Sequence, residues 1–339
     1  MKWSLAIATY NRPDALQRCL EFAVRQSRPP YEIIIVDSSG DWKANRQLAI
    51  KVAGSDIRYE QAKVRGLTCQ RNQAIAASRG DVLFLIDDDA FMHHDCAEEI
   101  MKVYEADTRG CVAGVGACEV FYLPGVGGPS GKPPSPNSIA KRAKAFFERE
   151  LYVERLLLPY DATYPGSTAP PELTGLDVTP TRYFQGFGMT YRAPIIREVG
   201  FDESLKRYGS AEDIDASYRV SRFGALLKAR KARVFHAQAP QARLSRHTRE
   251  LLLRLNLAYL YRKKGYDPRQ LMNQYRLRLL RRLIVDVLRD AAKKRASLPC
   301  ARAGFQAILL LPEMLRVSDD KIEAWYAGRQ EQIISRNLA

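Results

Sequence analysis

The chain has 339 residues, too many for one small domain and enough for a large α/β domain with additional elements. Hydrophobic residues make up 46% and charged residues 27%, which excludes both a disordered polyampholyte and a membrane bundle. The 53 Lys and Arg against 38 Asp and Glu leave a formal net charge of +15, so an anionic partner is expected: nucleic acid, a membrane surface or a phosphorylated small molecule.

That excess is local. Between 243 and 295 stand 16 Lys/Arg and 4 Asp/Glu, a net of +12, which leaves only +3 for the other 286 residues. The six cysteines (Cys19, Cys69, Cys96, Cys111, Cys118 and Cys300) form no C-x-x-C pair, so a zinc ribbon is not expected and the thiols read as reduced and cytosolic. The apolar run after Met1 is too short for a signal peptide and ends at Asn11-Arg12-Pro13. No window approaches the roughly 18 apolar residues of a membrane span.

In chain order, a short apolar run at 4–8 reads as a strand ending in Thr9-Tyr10-Asn11. Asn11 is placed to cap the next helix, with Pro13 in its first turn, and Leu16, Cys19, Leu20 and Ala23 recur at helical spacing. Ile33-Ile34-Ile35-Val36 reads as a strand buried on both faces and ends at Asp37. Helical stretches follow at about 44–52 and 68–78. Val82-Leu83-Phe84-Leu85-Ile86 is the next buried strand and ends in Asp87-Asp88-Asp89. Strands alternating with helices predict a parallel sheet whose ligands meet the carboxyl ends of the strands, where Thr9, Asp37 and the acidic triplet all fall. A Gly- and Pro-rich run at 125–136, a helix near 139–157 and an irregular stretch at 159–180 predict an insertion with loops. Helical patterns dominate from 243 onward.

Three adjacent carboxylates repel one another and are best tolerated where a cation or many donors meet them. Hard divalent ions prefer oxygen ligands and accept phosphate oxygens, so a D-x-D stretch after a buried strand suits a metal–diphosphate site; a solvated loop is the alternative. The second acidic cluster, Glu212-Asp213-Ile214-Asp215, opens a helical pattern, where acids also favour the helix dipole. A carboxylate there suits general-base work if it faces a substrate hydroxyl.

Taken in series, Ala8-Thr9-Tyr10-Asn11-Arg12, Ile35-Val36-Asp37-Ser38-Ser39, Gln70-Arg71-Asn72, Leu85-Ile86-Asp87-Asp88-Asp89, Gln185-Gly186-Phe187-Gly188-Met189 and Glu212-Asp213 with His236 resemble the family 2 glycosyltransferases over roughly 3–237. The resemblance implies a GT-A fold: an α/β architecture with a mostly parallel, Rossmann-like sheet flanked by helices, here with a helical C-terminal extension. It implies a catalytic domain at 1–242, divided into a nucleotide-binding half (1–120), the insertion (121–182) and an acceptor and base half (183–242), and a basic extension at 243–339. It further implies an inverting, Mn²⁺- or Mg²⁺-dependent transfer of sugar from a nucleotide-diphosphate sugar, UDP foremost, to a hydroxyl of a glycan or lipid-linked acceptor in surface polysaccharide or cell-envelope synthesis. Thr9, Tyr10, Asn11, Arg12, Asp37, Arg71, Asp87 and Asp88 would hold the nucleotide sugar. Asp89, Asp87 and His236 would hold the metal, His236 having an ordinary strand-end histidine as its alternative. Asp213 would be the base, with Gly186, Met189 and Glu212 on the acceptor side. Gly188 departs from the polar residue common before that methionine.

Other features are weaker. His93-His94 reads as surface rather than a metal pair, because adjacent helical side chains point apart. Gly66 suits a close approach of backbone to the nucleotide. Trp42 suits base stacking or a loop anchor, and Trp3, Trp325 and Tyr326 read as packing. In the basic segment Met272, Tyr275, Leu279, Leu283 and Val287 share a helical face flanked by Arg278, Arg281, Arg282 and Arg289, as in a helix lying on an anionic membrane; a solvated face and nucleic-acid binding are the alternatives, without a nucleic-acid motif. The expected location is cytoplasmic, peripheral on the inner face of the membrane. A sugar nucleotidyltransferase remains as an alternative, though Thr9-Tyr10-Asn11-Arg12-Pro13 is no Gly-rich phosphate loop, as does a non-enzymatic lipid- or nucleic-acid-binding module, which leaves both acidic clusters unexplained.

Overall fold

The computed structural model describes residues 1–126, 168–239, 241, 243–264 and 267–338. The helix expected near 139–157 and most of the 121–182 insertion lie outside the described residues. The chain divides into two compact units, one holding 1–130, 164–203 and 207–243 and the other 131–163, 204–206 and 244–339.

The first unit is built on one sheet. Four strands, β1 (Trp3–Thr9), β2 (Glu32–Asp37), β3 (Arg58–Gln61) and β4 (Val82–Asp87), lie side by side in the order β3-β2-β1-β4, all parallel. The continuous apolar runs of β1, β2 and β4 reflect burial on both faces, with helices α1 (Pro13–Ala23), α2 (Trp42–Ala53) and α3 (Leu67–Ala77) as the crossovers. β3 escapes sequence reading because Arg-Tyr-Glu-Gln is a four-residue edge strand in which Tyr59 alone is fully inward. α1 begins differently from expectation: its N-cap is Arg12 without a side-chain cap, and Asn11 instead takes a left-handed backbone, φ 51°.

Beyond β4 the sheet reverses. β5 (Ala90–Met92), α4 (Cys96–Ala106), β6 (Val112–Val120), β7 (Val178–Pro180) and β8 (Met189–Arg192) follow. Then come α5 (Ala193–Val199), α6 (Glu212–Val220) and β9 (Ala225–His236). β8 runs antiparallel between β4 and β6, and β9 pairs parallel with β6 but antiparallel with β5 and β7. The parallel expectation therefore holds for the first half, while in the second half the antiparallel pairs join strands far apart in the sequence.

Apolar layers close both faces of the sheet. Trp3 packs on Phe84 with ring centroids 4.3 Å apart, and each such fully buried side chain stabilises by roughly 1.5–3 kcal/mol. His93 and His94 lie in a turn rather than a helix; His93 is buried against Tyr122, so only His94 keeps the surface reading. Gly66, at φ 155°, brings its backbone not to open space but to Arg207: a Cβ there would lie 3.3 Å from the Arg207 amide nitrogen.

The second unit is helical: α7 (Arg246–Lys263), α8 (Pro268–Ala292), α9 (Pro299–Arg316) and α10 (Ile322–Leu338). Ser245 caps α7 through the Thr248 amide, and α8 starts with Asp267 before Pro268. Tyr259 and Tyr326 stack at 4.6 Å. The buried Arg254 guanidinium sits between Glu250 (2.8 Å) and Asp286 (2.7 Å). Met272, Tyr275 and Leu279 are buried here and Leu283 is half-buried, so most of the stripe expected to lie on a membrane is the face on which α8 packs, while Val287 of that stripe is exposed.

Candidate active site

The parallel register fixes the first part of the site. Thr9 pairs with Asp37 and Ala8 with Asp87, which sets the ends of β1, β2 and β4 on one edge of the sheet. Chain reversal fixes the second part. Directly after Asp89, Ala90 pairs with His236 at the end of β9, so the histidine is carried beside the triplet by strand pairing across 146 intervening residues of sequence.

Asp87, Asp89 and His236 thereby offer ligand atoms all within 4.8 Å of one another. Asp89 is buried. Its Oδ2 accepts the Ala239 amide at 2.8 Å, its carbonyl accepts the Ala237 amide at 2.9 Å, and Arg12 Nη1 and Arg243 Nη2 lie 3.6 and 3.9 Å away. Burial opposes its charge, but His236, Arg12 and the Ala239 amide outweigh it and hold the carboxyl below the usual range. His236 Nε2 lies 3.2 Å from Asp89 Oδ1, close enough for an ion pair but not aligned as a hydrogen bond, so the buried ring nitrogen has no hydrogen-bond partner. Burial disfavours the charged ring, and Asp89 and Asp87 reverse that and raise its pKa. Phe187 covers the ring, with centroids 5.1 Å apart. Two carboxylates and a neutral imidazole suit Mn²⁺ or Mg²⁺, and the unpartnered nitrogen fits a metal ligand.

Asp88 turns away from that group. It accepts from Thr9 Oγ1 at 2.7 Å and Arg12 Nη1 at 3.1 Å, and burial pushes its carboxyl up to about 7 against both. Asp37 is enclosed. Tyr59 and Asn45 donate to Oδ2 at 2.6 and 2.9 Å, and the Ser39 amide donates to Oδ1 at 2.7 Å, so its protein contacts already engage both oxygens. The Tyr10 ring lies under Arg65, 3.9 Å from its guanidinium carbon, and the Asn11 amide donates to Ser39 Oγ.

Arg71 joins the two acidic clusters. From α3 its Nη1 donates to Glu212 Oε1 at 2.8 Å, while Nη2 donates to Asp87 Oδ1 at 2.9 Å and the Gly186 carbonyl at 3.0 Å. The Gly186 amide in turn donates to Asp213 Oδ2 at 3.0 Å, and Asp213 Oδ1 accepts the Ile214 amide. A Cβ at Gly186 would stand 3.2 Å from Arg71 Nη2 and 3.4 Å from Glu212 Oε1, close enough that the Arg71 side chain would have to give by a few tenths of an ångström. Burial, then their mutual repulsion, raises the Glu212 carboxyl, and burial raises that of Asp213 against Arg71. Asp213 is the more open of the two.

Non-Gly residues with left-handed backbone cluster in these loops: Asn11, Arg207, Ala211 and Gln238, with φ between 51° and 74°. Strain of this kind concentrates at functional sites, and Ala211 is the unassisted N-cap of α6. Met189 lies elsewhere, fully buried in β8 and the core, where it packs and meets no solvent. A Cβ at Gly188 would stand 3.3 Å from the Ala117 Cβ. Arg243, the Ala239 amide and Phe187 complete the site without having been foreseen. Arg243 stood in the sequence only as the first cation of a basic run.

Residues 4–120 match the model of the glycosyl transferase family 2. The Bacillus subtilis glycosyltransferase YwdF is 37% identical over 106 residues, 31% of this chain and 39% of that protein. The hyaluronan synthase of Pasteurella multocida is 23% identical over 292 residues, 77% of this chain and 28% of the synthase. The chain thus spans well under half the length of the curated relatives it matches. Among solved structures, the mannosyltransferase PcManGT from Pyrobaculum calidifontis in complex with GDP-Man and Mn²⁺ superposes with a TM-score of 0.53 at 15% identity, covering 99% of this chain and 87% of that one. The fold is therefore GT-A, and the resemblance read from the motifs holds over the first strands and helices.

Proposed function

We propose that this chain, with its family 2 match over 4–120, is an inverting glycosyltransferase that moves a sugar from a nucleotide diphosphate to a hydroxyl of a glycan or lipid-linked acceptor of the cell envelope. The observation that carries the reading is the Arg71 bridge, which ties the D-x-D carboxylate Asp87 to the Glu212–Asp213 pair across one buried guanidinium.

The roles follow from which groups are already engaged. Glu212 is committed to Arg71, so Asp213 is the proton acceptor, held on both oxygens by main-chain amides. Burial raises its pKa and so strengthens it as a base. The acceptor O–H proton passes to Asp213, the oxygen attacks the anomeric carbon, and the bond from that carbon to the diphosphate oxygen breaks on the opposite face. Mn²⁺ or Mg²⁺ bound at Asp87, Asp89 and His236 would supply positive charge to the departing diphosphate. Arg12 and Arg243 add cationic charge to that edge, and Thr9 holds Asp88 aside. UDP is the nucleotide the motif reading names.

The test is a thermal-shift screen of UDP-, GDP- and dTDP-sugars with Mn²⁺, followed by transfer assays. Asp213→Asn is expected to keep donor binding and lose about 10²–10⁴-fold in turnover. Wild-type turnover in that variant overturns the base assignment, and retention of anomeric configuration in the product overturns the inverting mechanism.

A further inference from the structure

With one face of α8 packed inward through Met272, Tyr275 and Leu279, the opposite face carries a second apolar stripe. Leu277, Leu280, Ile284, Val287 and Leu288 are 50%, 47%, 68%, 40% and 56% exposed. At 100° per residue they fall within an arc of about 100°. On α9, Phe305 and Leu309 are exposed one turn apart.

The charge around this stripe has one sign. Arg276 and Arg281 border it on either side, Lys293 and Lys294 follow it, and Arg302 precedes Phe305, all exposed. The two acids of α8, Asp286 and Asp290, are both fully buried, and Glu313 of α9 is paired with Arg329. Between 276 and 288 this face of α8 thus offers water only aliphatic groups and cations.

We infer that this face of α8 lies on an anionic lipid bilayer, its leucines and isoleucine in the headgroup–acyl boundary and its arginines on the lipid phosphates. A second copy of the chain fits poorly, because a two-fold contact would set the same cationic patch against itself. A nucleic acid would use the arginines but leave five aliphatic side chains without a partner. No helix among the described residues is long and apolar enough to cross a membrane, so α8 rests on the surface.

The experiment is flotation of the whole chain with phosphatidylcholine vesicles, with and without phosphatidylglycerol. Binding is expected only where phosphatidylglycerol is present, and it weakens as salt rises. Ile284→Asp with Leu288→Asp should lower the partition coefficient roughly ten-fold or more. Arg276→Gln with Arg281→Gln should lower it about five-fold per charge. Both pairs should leave the melting temperature unchanged, since the side chains are exposed; Ile284→Ser alone serves if the double Asp variant fails to fold. No flotation with anionic vesicles, or equal flotation with neutral ones, overturns the inference. A dimer mass in light scattering that Ile284→Asp abolishes also overturns it, in favour of a second copy.

Discussion

Replacing Arg71 by Met tests the bridge that holds the site together. Methionine keeps much of the aliphatic stem beside Phe201, whose ring lies 5.3 Å from the guanidinium carbon, and removes three hydrogen bonds of 2.8, 2.9 and 3.0 Å. The Asp87 side chain is 29% exposed and regains water, so its loss counts little. Glu212 is buried, and its carboxylate is left beside Asp213 with no cation. Breaking a buried pair on one side costs about 3–5 kcal/mol. For a unit of this size that lowers the melting temperature by about 6–20 °C. The loss depends on pH. Without Arg71, burial and Asp213 favour the protonated form of Glu212 in the folded state, while the unfolded chain releases that proton near pH 4. The folded state then binds more protons, and the variant loses stability as pH rises above about 4. The wild-type carboxyl is itself pushed up to about 8, so the deficit against wild type grows only as pH rises through that value. Calorimetry at pH 6.5 and 9 should show the larger deficit at pH 9, and adding Glu212→Gln should recover most of it. A variant within about 1 kcal/mol of wild type at pH 9, or no recovery with Glu212→Gln, refutes the reasoning.

Three further outcomes are expected. Asp290 accepts the Cys300 and Ala301 amides at 2.7 and 3.2 Å at the start of α9; burial opposes its charge, but these donors and Arg295 hold its carboxyl below the usual range. Asp290→Asn should therefore destabilise the helical unit by about 1–2 kcal/mol above pH 5, a difference that fades as pH falls below about 4 through the folded value; an unchanged urea midpoint at pH 7 would refute it. Gly116→Ala would set a Cβ 2.5 Å from Phe184 Cδ1, and about 1–3 kcal/mol should be lost and partly regained with Phe184→Leu, read by thermal melting. Asp89→Ala should abolish Mn²⁺-dependent donor binding in calorimetry while the chain stays folded, and unchanged heats would remove the metal role.

The strand ends were legible because strands buried on both faces write continuous apolar runs, and the polar residue that breaks each run marks the ligand edge: Thr9, Asp37 and Asp87. What lay hidden depends on long-range pairing. His236 was named beside Asp87 and Asp89 only through the family resemblance: nothing local to Ala90 announces that β9 will bring it there, nor that β8 reverses the sheet beside β4. Periodicity also stops short at α8. A 3.6-residue repeat picks out both 272/275/279 and 277/280/284/288, and only the packing of α8 against α9 decides which of the two is core. Arg243 shows the same limit, since membership of a basic run in sequence does not exclude a place beside Asp89 in space.

Gly186 gives its amide to Asp213 and its carbonyl to Arg71, so one residue without a side chain is gripped from both clusters. A displacement of that peptide breaks both grips together, and neither cluster can be retuned alone through it. A substitution elsewhere that shifts the 186 peptide is therefore expected to disturb Arg71 and Asp213 at the same time.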